Sequence, residues 1–250
     1  MKSRGAILAG ILAFSALAAA AEPERLARLL QRFDAEHYIP AKEHLLLSIT
    51  RDHPEAGAAL LRMAESTPHP DTRWMAMRGL ATLQYTAAAP FLEAALKSPD
   101  AYVRANAARA LGDMRIEAAS DALLSLFISE QTPGVVEQSS LALRLLKVHS
   151  AAPYIRQRIP LFTGQTKCWL IQALGGLGDK TDVPFLAAFL FRDDFASEAA
   201  AQALSELTGV DFGPQTIGLS AVPSRYVLAA RSWWESHQAG WPQCDDCRNK

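Results

Sequence analysis

Residues 100–127 read DAYVRANAARALGDMRIEAASDALLSLF, and the fold is decided on this stretch. Val103, Ala107, Ala108 and Leu111 recur at three- and four-residue spacing, which places them on one stripe of a helix. Ala119, Leu123, Leu126 and Phe127 form a second stripe after the turn-forming residues Gly112 and Asp113. The spacing predicts two short amphipathic helices joined by a tight turn. One hairpin cannot cover both stripes by itself, so neighbours must.

Those neighbours are visible in the sequence. Aligned on Leu111, equivalent leucines stand at Leu47, Leu80, Leu143, Leu174 and Leu204, giving successive intervals of 33, 31, 32, 31 and 30 residues. A period in this range is the mark of stacked helical hairpins. Other columns keep step: Arg73 and Arg78 precede Arg104 and Arg109 by 31 residues, and Pro68 precedes Pro99 by 31. Hairpins are expected near 41–66, 70–98, 100–129, 133–158 and 165–191, with a sixth first helix near 194–207. Ser98, Pro99 and Asp100 are expected to stop one helix and cap the next, as are Thr132 and Pro133. Gly112, Gly178 and Gly209 are expected to close helix ends, and the Gly175, Gly176, Gly178 cluster reads as a C-terminal turn. The four arginines in register, Arg73, Arg78, Arg104 and Arg109, predict an inter-repeat ladder, or a basic strip for an acidic partner if all four point outward together.

ALGDMRIEAASDALLSLF and ALGGLGDKTDVPFLAAFL resemble the HEAT-like repeats of the phycobilisome-lyase type, over about residues 40–207. The resemblance implies an all-α, right-handed α-solenoid of about five to six stacked hairpins, with second helices lining a concave side. Outward residues of those helices, Glu93, Lys97, Ser125, Arg156 and Gln157, are then the candidates for binding a protein or peptide partner. The ending LTG, DFG and the Trp233–Trp234 pair is similar to the C-terminal unit of exported bacterial proteins with such repeats, so a capping helix bearing Trp233 and Trp234 is expected over 208–238. Residues 22–40 are expected to form the N-terminal cap.

The remaining features bear on address and chemistry. Lys2 and Arg4 precede an apolar run ending in small residues at Ala20 and Ala21, the pattern of a secretory signal peptide over 1–21. Export to the periplasm or beyond is expected, with no membrane span retained after cleavage; an uncleaved membrane anchor is the alternative. The net charge of -1 excludes a nucleic-acid partner driven by charge. In the tail, 239–250, Cys244 and Cys247 are spaced as CDDC, which fits a disulfide, a redox dithiol or half of a metal site. Cys168 is expected to pack in its helix as a small hydrophobe.

Glu36–His37 and Glu43–His44 reverse the His–Glu order of the di-iron repeat hydroxylases and do not recur, so no metal is expected; His37 and His44 are expected at the surface. No phosphate loop, dinucleotide fingerprint or nucleophile motif is present, and no cofactor is expected. These observations together lead to the expectation of a non-catalytic exported interaction scaffold. Two alternatives stand beside it: an enzyme or lyase-type subunit using the concave groove, and a thiol- or metal-active tail.

Overall fold

The computed structural model describes residues 24–192, 195–214 and 223–241, and all regular structure in them is helical. The chain has the all-α architecture of a helical-hairpin solenoid. Residues 1–91 and 92–250 form two compact units.

The first unit holds α1 (24–35), α2 (Ile39–Asp52), α3 (Gly57–Ser66), α4 (Pro70–Thr82) and the start of α5 (Ala89–Ala95). Pro40 and Pro70 sit in first turns, where a missing N–H leaves no hydrogen bond unmade. Both α2 and α3 pack on α4, and the core consists of Phe33, Leu46, Ile49, Leu60, Met75, Met77 and Leu80. The register leucine of this hairpin is Leu46, only 7% exposed, whereas Leu47 is 61% exposed. Three leucines in a row, Leu45 to Leu47, offer the periodicity a choice that packing on α4 settles one position earlier.

The second unit continues with α6 (Ala101–Asp113), α7 (Ser120–Ser129), α8 (Pro133–Leu145), α9 (Ala152–Arg158), α10 (Gly164–Leu177), α11 (Val183–Ala187), α12 (Ala196–Thr208) and α13 (Arg225–His237). The first helices form one layer, α6 on α8, α8 on α10 and α10 on α12. Each second helix packs against the next first helix: α7 on α8, α9 on α10, α11 on α12. Leu111, Leu143, Leu174 and Leu204 are completely buried, each contributing about 1.5–3 kcal/mol by removal from water. The last helix, α13, packs on α12 and buries Tyr226, Val227 and Ala230. Trp233 and Trp234 are only half-buried on the same helix.

The turns depart from the glycine-based expectation. Gln84, Arg115 and Lys147 adopt left-handed backbone, with φ of 51°, 56° and 56°. At each, the next residue's N–H returns to the repeat leucine: Tyr85 to Leu80, Ile116 to Leu111 and Val148 to Leu143, all at 3.0 Å. This is the six-to-one bond of a Schellman motif, made here without glycine. Gly209, with φ of 74°, does close α12, but Gly112 and Gly175 lie inside helices for another reason. A Cβ at 112 would stand 2.7 Å from the Ala142 Cα, and one at 175 would stand 2.5 Å from the Ala203 Cα. These glycines let neighbouring first helices touch backbone to backbone.

Capping also differs at one boundary. Asp100 accepts from the Tyr102 N–H at 2.8 Å, as its position before α6 suggests. Thr132 makes no such side-chain bond; Glu130 takes the Gln131 and Thr132 N–H groups instead, both at 2.9 Å.

Candidate functional site

The surface of the second helices presents most of the expected partner residues. Lys97, just past α5, Ser125 on α7 and Gln157 on α9 are exposed, and Glu93 is half-buried. Arg156 is differently placed: its guanidinium reaches the Asp182 carboxylate at 3.3 Å and lies 5.1 Å from the Phe185 ring centroid. It therefore ties α9 to the start of α11 rather than standing free for a partner. Burial holds the Asp182 carboxyl above its ordinary range, opposed by the Asp179 N–H and by Arg156.

The most concentrated charge lies at the end of α7. Arg158, buried, donates to the carbonyls of Phe127, Ile128 and Glu130, and its guanidinium stands over the rings of Phe127 and Phe162. It thereby satisfies carbonyls that a helix end leaves without partners. Glu130 accepts Arg104 Nε at 2.8 Å on one oxygen and the two backbone N–H groups on the other. Burial alone would raise the Glu130 pKa, but the Thr132 N–H, Arg104 and the Gln131 N–H outweigh it and lower the value from 4.5 to about 2. Desolvation lowers the Arg158 pKa, and the nearby Glu130 charge opposes that shift. The pattern of the sequence points to neither residue, because they meet only when hairpins 28 residues apart stack.

The expected arginine ladder resolves into three separate roles. Arg73 and Arg104 fold back on the loop before their own helices, donating to the carbonyls of Thr67 and of Ser98 and Pro99. Arg78 does cross between hairpins, to Glu43 at 3.0 Å, while resting on Trp74. Arg109 pairs within its own helix with Asp113 at 3.5 Å and so belongs to no ladder. Further cross-repeat polar contacts join Lys42 to Thr72, Thr166 to Glu137, Gln172 to Gln202 and His149 to the Leu177 carbonyl. Lys42 is fully buried over the Phe33 ring, and its burial lowers its pKa.

Among the other flagged residues, His37 and His44 are exposed, and Glu43 is taken up by Arg78. His53, which the repeat pattern does not single out, is buried beside Glu55 at 3.1 Å. The Cys168 thiol is half-buried on α10 rather than packed inside. At the C-terminal end Trp233 joins an aromatic cluster, 5.7 Å from Phe212 and stacked on His237 at 5.3 Å. Cys244, Cys247, the 1–21 segment and residues 215–222 of the preceding loop lie outside the described residues. Among the described residues, no three His, Cys, Asp or Glu side chains form a metal-binding group, and no helix is long and apolar enough to cross a membrane.

A family model for HEAT repeats matches residues 52–144. Over this part of the chain, less than half of it, the sequence is similar to HEAT repeats. The hairpins there are α3 to α8, which include the stretch from Asp100 to Phe127. No curated protein sequence matches the chain significantly. Among solved structures, the complex of CpcE and CpcF of phycocyanin lyase from Nostoc sp. PCC7120 is similar, with a TM-score of 0.52 and 21% identity. The match covers 70% of this chain and 76% of that one. At such identity the likeness is one of fold. HEAT repeats, and a neighbour that is itself a complex, point to protein–protein interaction.

The comparison also corrects one expectation. The absence of a local catalytic motif led to a non-catalytic scaffold that is not an enzyme; the neighbour is a lyase built on the same stack. A missing motif is thus no argument against enzymatic work in this architecture.

Proposed function

We propose that the chain is a subunit of a lyase-type enzyme, acting on a protein substrate held along the second helices. The observation that carries this reading is the likeness to the phycocyanin lyase complex over more than two thirds of both chains. Two physical features support it. Lys97, Ser125 and Gln157 offer an exposed surface of mixed polarity, suited to a protein partner and not to a polyanion. Behind them, Arg158, Glu130 and the Arg156–Asp182 pair fix the helices that carry the surface, so it is presented with little reorganisation on binding.

A lyase makes or breaks a bond by addition or elimination and must move a proton, while no electron carrier is consumed. Among the side chains able to take part in that step are the exposed His149, whose Nδ1 lies 2.9 Å from the Leu177 carbonyl, and the half-buried Cys168 thiol on the neighbouring first helix α10. The apolar run at the N-terminus supports the reading of an exported subunit, whose partner would then share that compartment.

The test is to recover partners from that compartment with the full chain and to screen the recovered complex against chromophore and other adduct-bearing protein substrates. Turnover that needs the chain and falls on His149→Ala or Cys168→Ser supports the proposal. Turnover that is the same with and without the chain rejects it.

A further inference from the structure

At the same position of four successive hairpins, where the second helix ends, stand Leu96, Phe127, Ile159 and Leu190, and all four are buried. The residues that follow them face solvent. The first of these hairpins presents a cation there, Lys97, whereas the next three present apolar groups at that position or the one after it: Ile128, Leu161 and Phe191, which are 41%, 72% and 47% exposed. Single exposed hydrophobic residues are ordinary, but a row kept at one edge through three stacked hairpins is not.

The backbone behind the row is held. Arg158 donates to the carbonyls of Phe127 and Ile128, and Arg231 donates from Nε to the Leu190 carbonyl at 2.7 Å while its guanidinium stands 5.6 Å from the centre of the Phe191 ring. The carboxylates at this edge are engaged, Glu130 by Arg104 and Asp100 by the Tyr102 N–H. Among the described residues, the exposed charges there are therefore Lys97 and Arg192, one at each end of the row and both positive.

Packed helices lie about 8–10 Å apart, which sets the step from one hairpin to the next. A polyproline II segment, with three residues per turn and a rise of about 3.1 Å, returns the same face about every 9 Å. A β-strand does so about every 6.7 Å and falls out of step. We infer that Ile128, Leu161 and Phe191 form a docking edge for an extended, proline-bearing segment of a partner protein, with an apolar residue at every third position and carboxylates at both ends. Ser125 and Gln157, exposed about one turn before Ile128 and Leu161, supply hydrogen-bonding groups beside a backbone that has no internal bonds of its own. The inference goes beyond the lyase-type reading, since docking here holds whether or not the partner is chemically modified.

Fluorescence anisotropy of a labelled peptide, DDLPPLPPLDD, titrated with the full chain tests it. Saturable binding is expected, and Ile128→Ser and Leu161→Ser should each weaken it about tenfold, as loss of one buried aliphatic contact. The Lys97→Glu, Arg192→Glu double variant should instead prefer the lysine-flanked peptide KKLPPLPPLKK. Two peptides probe the row on the unaltered chain, where folding is not in question: the lysine-flanked one and DDLPLPLPDD, with leucines at every second position, should both bind at least about tenfold more weakly. The inference is overturned if the first peptide shows no saturation by about 1 mM chain, or if the respaced or lysine-flanked peptide binds the parent equally well. It is also overturned if both serine variants bind like the parent, or if light scattering finds a dimer that Leu161→Ser turns into a monomer, which would make a second copy the occupant of the row.

Discussion

Replacing Glu130 by Gln keeps the shape of the side chain and removes the charge around which the end of α7 is built. The amide oxygen can still accept from the Gln131 and Thr132 N–H groups, but the amide nitrogen then faces Arg104, donor against donor. Buried Arg158 also loses the charge that opposes its desolvation. The magnitude follows from the carboxyl, whose pKa falls from 4.5 to about 2 in the folded protein. At about 1.4 kcal/mol per pKa unit, the ionised form contributes up to about 3 kcal/mol.

The sign is that of a depressed carboxylate. Its contribution is complete above the unfolded value of about 4.5 and is lost as pH falls from there through about 2. Urea unfolding followed by circular dichroism, at neutral pH and at steps between about pH 5 and pH 2, measures both parts. Glu130→Gln should be less stable by about 2–3 kcal/mol at neutral pH, and its stability should fall less steeply with acid, by up to one proton's worth of slope. A loss under about 0.5 kcal/mol, or an unchanged slope, would show that the charge is solvated and that the network at α7 holds nothing together.

Two further substitutions probe the repeat itself. Leu111→Ala should cost about 2–5 kcal/mol, as a large-to-small change at a fully buried position, whereas Leu47→Ala should cost under about 0.5 kcal/mol; equal losses in chemical denaturation would contradict the register with Leu46 inside. Lys147→Gly should stabilise by about 0.5–1 kcal/mol, because the left-handed φ of 56° strains a residue with a Cβ; a lower melting temperature would refute the Schellman assignment.

The fold class was legible because hydrophobic period and repeat period agree. Leu80, Leu111, Leu143, Leu174 and Leu204 stand in register, and the same leucines both fill the core and, in three cases, close the turn. Legibility failed where a short-range rule competed with packing. Gly112 and Gly175 look like helix stops, yet their missing Cβ serves contact with the next helix, while Gln84, Arg115 and Lys147 take the left-handed turns that composition would assign to glycine. Adjacent leucines at 46 and 47 cannot be separated by a pattern that tolerates a shift of one.

The candidate site was less legible than the fold. Arg156 stands in the right helix for a partner surface, but Asp182, 26 residues away, claims it. Arg158 with Glu130, Lys42 with Thr72 and Arg144 with Glu206 are likewise joined only by stacking, so no local spacing announces them. Function was least legible of all. The hairpins bring together residues that are distant in sequence, so the lack of a short motif says little about catalysis.

A lyase-type role for the chain is our proposal. Intact-mass measurement on the recovered protein partner tests this most directly, after incubation with and without the chain. A partner whose mass changes by one covalently attached group only when the chain is present, with the change slowed by His149→Ala or Cys168→Ser, is the predicted result. A partner that binds the chain firmly yet keeps its mass under every substrate condition would contradict it.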